Sequence, residues 1–158
     1  MLEKTLLIIL ISLIVLITAV LLTWVTERLY PVAAEGNSGE PQVIINNRKW
    51  TVEIADDTWE RAKGLSGRES LAGDRGMLFV FNKPDVYKFW MRGMKFPLDF
   101  VWIRGDKVVD VTANAPPANL GNLEFYYPSE PADMVLEINA GSVAKYGVEK
   151  GDKVKILR

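Results

Sequence analysis

Residues 77–103 read MLFVFNKPDVYKFWMRGMKFPLDFVWI. The run Met77–Phe81 is apolar at every position, as in a strand buried on both faces. Pro84-Asp85 marks a turn, and Val86–Met91 is a further strand candidate. Leu98–Ile103 and Lys107–Ala113 flank Gly105-Asp106, a hairpin signal. Phe79–Trp102 holds eight of the chain's sixteen aromatic residues. Such a density reads first as the centre of a hydrophobic core. It also suits an aromatic-walled pocket for a sugar or small apolar ligand, with Trp90, Arg92 and Phe96 beside the Gly93–Pro97 loop.

The flanking sequence continues the strand pattern. Val43–Ile45 and Lys49–Ile54 flank Asn46-Asn47, and Asn tolerates the left-handed backbone that a tight hairpin needs. Trp50, Val52 and Ile54 alternate with Lys49, Thr51 and Glu53, so one face is wet. Asp57 with Glu60 resembles a capping box opening a short helix, and Gly64 suits its end. Ser66 with Glu69 repeats the capping pattern. Residues 114–131 carry four prolines and form a long irregular connection. Met134–Ile138 is a strand, Gly141–Tyr146 one helical turn ended by Gly147, and Lys153–Leu157 a closing strand. The expectation is a mostly β domain over 43–158, a compact β-sandwich or barrel-like fold with one or two short helices. The Gly147–Val154 segment, with Asp152 bonding nearby amides, leaves a cradle-loop β-barrel as the alternative.

Upstream, Leu6–Val25 is a 20-residue run without charge. At ~1.5 Å per residue it spans about 30 Å, a bilayer core, and it is apolar on all sides. It predicts a transmembrane helix within a membrane anchor over 1–30, with the lipid bilayer as partner of residues 6–25. Residues 31–42 read as a tether. A signal peptide cleaved near Ala34, giving a secreted domain, is the rival. Lys4 and the amino terminus against Arg28 favour a soluble domain outside the cytoplasm.

The 158 residues contain no Cys and no His, and the net charge is −1. Thiol nucleophiles, His-based triads and His or Cys metal sites are therefore excluded. From Gly36 onward 17 basic residues balance 17 acidic ones. A neutral domain lacks the basic surface that nucleic acid binding requires.

Several residues then follow one pattern in order: Gly64-Leu65, Arg68, Gly76-Met77-Leu78-Phe79, Phe89-Trp90-Met91-Arg92, Pro97-Leu98-Asp99, Val135-Leu136-Glu137, Gly147-Val148 and Gly151-Asp152. The domain resembles the domain-of-unknown-function family 192, also called uncharacterised protein family 0127. The resemblance implies a compact, mostly β domain, often preceded by a signal or anchor segment, and supplies no activity. The family usually reads Lys-Asn-Thr after Met91, where this chain has Arg92-Gly93-Met94.

Asp99 lies on the strand face of Val101 and Ile103, where a carboxylate needs hydrogen bonds or an Arg partner such as Arg68 or Arg92. Arg68, Trp90, Met91, Arg92 and Asp99 are the candidate ligand-binding residues. No catalytic residue, metal or cofactor is expected. The reading is a non-catalytic binding module for an envelope glycan, lipid or protein. The alternatives are a small hydrolase using Asp99 and Glu137, with Glu137 placed on the strand face opposite Val135, or a structural assembly partner.

Overall fold

The computed structural model describes residues 2–29, 39–118 and 123–158. They fall into two units divided between Ser38 and Gly39. In the first, Leu2–Leu29 form one helix, α1, of 28 residues, and no Gly or Pro interrupts it. Side chains along 12–22 are exposed without a break, and Leu16 and Leu22 are 65% and 70% accessible. No helix among the described residues is long and apolar enough to cross a membrane. The run 12–22 is the longest in α1 with every side chain described, whereas a crossing takes ~20 residues. The transmembrane helix expected over 6–25 is thus not found as such. Its side chains at 7–9, 11 and 23–25 lie outside the described set, as do residues 31–38 of the tether and the cleavage position near Ala34.

In the second unit, β1 (Gln42–Ile45) and β2 (Arg48–Ala55) form the expected hairpin. Asn46 and Asn47 hold φ of 49° and 61°, the two left-handed residues of a tight hairpin turn. Asp57 caps α2 (Thr58–Lys63): its Oδ1 accepts from Glu60 N at 2.7 Å, and Glu60 reaches back to Asp57 N. β3 (Arg75–Asp85) then returns parallel to β2. β5 (Leu98–Arg104) and β6 (Lys107–Ala115) form the second expected hairpin, preceded by the short strand β4 (Phe89–Trp90). β7 (Phe125–Tyr126) pairs with β4 within the long connection. β8 (Ala132–Asn139) inserts between β3 and β5. α3 (Ser142–Tyr146) and β9 (Val154–Leu157) close the chain.

The main sheet runs β6-β5-β8-β3-β2-β1-β9. Its two edge strands approach each other at one end. Val108 N donates to Asp152 O at 2.9 Å, Gly151 N to Val108 O at 2.8 Å, and Val154 N to Asp106 O at 2.9 Å. The sheet is therefore curled into a half-barrel. The sandwich among the expectations does not form, because the sheet curls on itself and the only other described sheet is the short β4–β7 pair.

Both faces of the sheet are covered. The inner face takes residues from all seven strands, including Trp50, Leu78, Val101 and Leu136, and α3 plugs it with Val143. The outer face carries Phe79, Phe100, Trp102 and Val135 beneath Leu65, Phe89 and Met91. This double cover explains why six consecutive residues of β5, Leu98–Ile103, are buried. Each large side chain removed from water there contributes roughly 1.5–3 kcal/mol. Gly76 leaves no room for a side chain: a Cβ would stand 2.8 Å from Glu137 O. Elsewhere the expected elements shrink. The strand over 86–91 is only Phe89–Trp90, and the Ser66–Glu69 pattern forms turns because Ser66 Oγ donates to Arg92 O and Glu69 pairs with Lys95.

Candidate functional site

A cleft of about 290 Å³ opens over the outer face. One wall is α2 and the turn after it, the other is the stretch Tyr87–Trp90, and the floor is the sheet. The capping box fixes where α2 begins, and Gly64 ends it at φ 49°, with a Cβ position only 3.2 Å from the Phe79 ring. A larger residue there would press on the floor. On the opposite wall Phe89 packs edge-on to Phe79 at 5.0 Å and to Trp102 at 5.3 Å, which anchors β4. Trp90, next along, is 38% exposed and lines the cleft.

At the floor lies Glu137. Pairing with Met77 on β3 and Phe100 on β5 sets it on the outer face, and strand alternation sets it beside Val135. This corrects the expectation that Val135 and Glu137 point oppositely, since residues two apart in a strand share a face. Glu137 is 5% accessible. Among the described residues no hydrogen bond or ion pair reaches its carboxyl, and burial alone pushes its pKa up to about 8. The neutral acid therefore predominates at pH 7. A buried carboxyl that opens on a cleft, with no partner among the described residues, is a candidate functional group.

Three cations line the same cleft, and each is held away from Glu137. Arg61 donates to the carbonyls of Asp56 and Val80, and its guanidinium stands over the Phe81 ring at 5.2 Å. Lys63 lies over Trp59 at 4.9 Å, and Lys88 over Phe125 at 4.6 Å. Trp59 and Phe125 are both exposed. The cleft is thus apolar in its walls, acidic at its floor and basic at its rim.

The residues expected from sequence do not form one site. Trp90 alone of the five lines the cleft. Met91 is buried in the outer core, where its backbone oxygen accepts from Met94 N and Ala118 N. Arg92 is exposed and outside the lining. Arg68 grips Glu53 with two bonds of 2.6 and 2.7 Å, and this pairing, ahead of the opposing effect of burial, holds the Glu53 carboxyl below its usual range.

Asp99 is fully buried on the inner face. Its carboxylate accepts from Asn114 N and from Val143 N, each at 2.8 Å. The first of these amides is freed by a bulge: Leu98 pairs with Ala115 but Phe100 with Thr112, and Asn114 takes φ 56°. The second opens α3. Asp99 is therefore a structural clamp, satisfied by backbone amides rather than by Arg68 or Arg92. It also lies on the face opposite Glu137, as the pairing Asp99 with Ile138 and Phe100 with Glu137 requires. A two-carboxylate hydrolase needs both groups in one cleft, so that alternative loses its geometry.

The family model DUF192, described as an uncharacterized ACR, matches residues 42–156. The chain belongs to domain-of-unknown-function family 192. Two solved structures resemble the DUF192 domain. One, a protein of unknown function from Novosphingobium aromaticivorans DSM 12444, is 35% identical with a TM-score of 0.67, covering 78% of this chain and 91% of its own. The other, named a "putative transcription regulator" from Sinorhizobium meliloti 1021, is 33% identical with a TM-score of 0.64, covering 73% and 90%. No curated protein matches the chain.

The DUF192 motif residues serve the fold and the cleft together. Gly64-Leu65 turns α2 into the wall, Gly76 permits the β3–β8 approach, and Glu137 supplies the floor. Sequence reasoning missed the two facing walls, one bringing Arg61 and Lys63 and the other Tyr87 and Lys88. It weighed Glu137 only as a partner for Asp99. The signal available was a carboxylate in the apolar strand MVLEI, on the face of Val135.

Proposed function

We propose that the protein is a membrane-anchored, extracytoplasmic binding module whose outer-face cleft takes a small ligand of the cell envelope without turning it over. The single observation that carries the reading is Glu137, a buried carboxyl without a partner among the described residues, at the floor of an open aromatic cleft. Aromatic walls with one convergent polar group are the usual make-up of a ligand site, although about 290 Å³ lies at the small end of the ~300–1,000 Å³ range. A ligand group of one ring or one headgroup fits that space. The anchor is supported by α1, where exposed leucines such as Leu6 and Leu22 would each gain roughly 1.5–3 kcal/mol from an apolar medium. The charge-free run Leu6–Val25 has the length of a crossing, and Lys4 with the amino terminus against Arg28 favours a domain outside the cytoplasm.

The test is a screen of the full chain, in dodecylmaltoside micelles, against glycans, lipids and peptidoglycan fragments. Saturable binding without turnover, weakened at least tenfold by Trp90→Ala, is the expected result. Turnover of any of them, or binding indifferent to Trp90, would overturn the reading.

A further inference from the structure

The charge pattern of the cleft names a ligand class. We infer that the ligand is a zwitterion that enters ammonium first, with its ammonium on Glu137 among the aromatic rings and its phosphate or carboxylate at Lys63 and Lys88. This rests on the cleft being a binding site, as proposed above.

No hydrogen bond among the described residues reaches the Glu137 carboxyl, so a ligand that brings N–H donors and a positive charge gives it a partner and holds it as the carboxylate. Phe79, Phe89 and Trp90 surround the same space, and aromatic faces attract a desolvated cation. Lys63 and Lys88 come from opposite walls, each already turned to an outer ring. Among the described residues, no carboxylate other than Glu137 lines the cleft. A purely cationic ligand would meet repulsion at the rim, and a purely anionic one would set its charge against Glu137 and hold it as the neutral acid. Positive inward and negative outward is the arrangement that answers both.

Binding would convert Glu137 from acid to carboxylate, releasing its proton to solvent. The charged and titratable groups that share its surroundings come from several elements. Arg61 and Lys63 come from α2, Tyr87 and Lys88 from the opposite wall, and Glu53 on β2 is held by Arg68. β3 and β5 set Met77 and Phe100 beside it, and Arg75, on the β3 face of Met77, pairs with Glu40.

Phosphoethanolamine is the probe, since its two charged groups can also be borne by a lipid. Calorimetry on the full chain in dodecylmaltoside would compare free phosphoethanolamine with nanodiscs in which phosphatidylethanolamine is present or omitted from phosphatidylglycerol. The expected result is saturable binding, close to one proton released per ligand at pH 7, and affinity rising about tenfold per pH unit below pH 8. Glu137→Gln should lose affinity at least tenfold, whereas Lys63→Gln with Lys88→Gln should weaken phosphoethanolamine more than ethanolamine. Binding to both forms assigns the shared chemistry, and binding only to the lipid-borne form assigns a membrane source. Equal binding by Glu137→Gln, or binding without proton release, overturns the inference. If neither form binds while a neutral glycan fragment saturates the cleft, the zwitterion is wrong and the binding site stands. If nothing in the screen binds, both fail.

Discussion

Replacing Glu137 with Gln should change how stability depends on pH. Gln matches the neutral acid in shape and cannot ionise. The folded carboxyl titrates near 8 against an ordinary 4.5, a gap of about 3.5 pH units, or roughly 5 kcal/mol at ~1.36 kcal/mol per unit. The pKa is raised on folding, so the folded state binds the proton more tightly. The stability this contributes is complete below pH 4.5 and is lost progressively as pH rises through 8. Wild type should therefore lose stability relative to the Gln variant between those limits, up to roughly 5 kcal/mol. That is a large share of the ~5–15 kcal/mol that holds a domain folded. Glu53, held low by Arg68, tilts stability the other way at acid pH, and it cancels in the comparison because both proteins carry it. Urea unfolding of the full chain in detergent at pH 4, 6, 8 and 9, followed by tryptophan fluorescence, measures the difference directly. Curves that stay parallel across this range would refute the claim that burial keeps Glu137 neutral.

Asp99→Asn should cost roughly 2–4 kcal/mol, because one of two charge-assisted bonds to backbone amides is replaced by a donor facing a donor. Its melting temperature should fall while phosphoethanolamine affinity stays within twofold; a variant as stable as wild type would contradict the clamp. Gly76→Ala should destabilise by about 1–3 kcal/mol through overpacking at Glu137 O, read by the same urea curves. Asp57→Ala should cost about 1 kcal/mol through the lost cap and weaken ligand binding by shifting α2. Alkaline carbonate extraction of membranes should leave the full chain in the pellet and release a chain lacking residues 1–38.

Much of the fold was legible because local chemistry and tertiary structure agree. Asn46-Asn47, the Asp57–Glu60 box, Gly147 and the Asp152 turn each do what their side chains favour: Asp152 accepts from Asn46 and from Glu149 N. Asp99 was legible as a buried carboxylate needing partners, but not which partners, since a bulge in β6 and the start of α3 meet there only in the folded chain. The curl of the sheet escaped for a similar reason. It depends on Val108 meeting Gly151 and Asp152, a contact that no local pattern encodes. The cleft was the least legible part. Its walls come from α2 and from Tyr87–Trp90, and the rim lysines look like ordinary solvated charges until Trp59 and Phe125 are seen beneath them. Dense aromatics marked the right region: Phe79, Phe81, Tyr87, Phe89 and Trp90 line the cleft, whereas Phe100 and Trp102 fill the core.

The central claim is that Glu137 is the unpartnered floor of a ligand site. The most direct measurement is the carboxyl ¹³C resonance of Glu137 at pH 7 as phosphoethanolamine is added to the full chain. The account predicts a resonance at the protonated position in the free protein that moves saturably to the ionised position. A resonance already at the ionised position, or one that stays put while phosphoethanolamine binds, would contradict it.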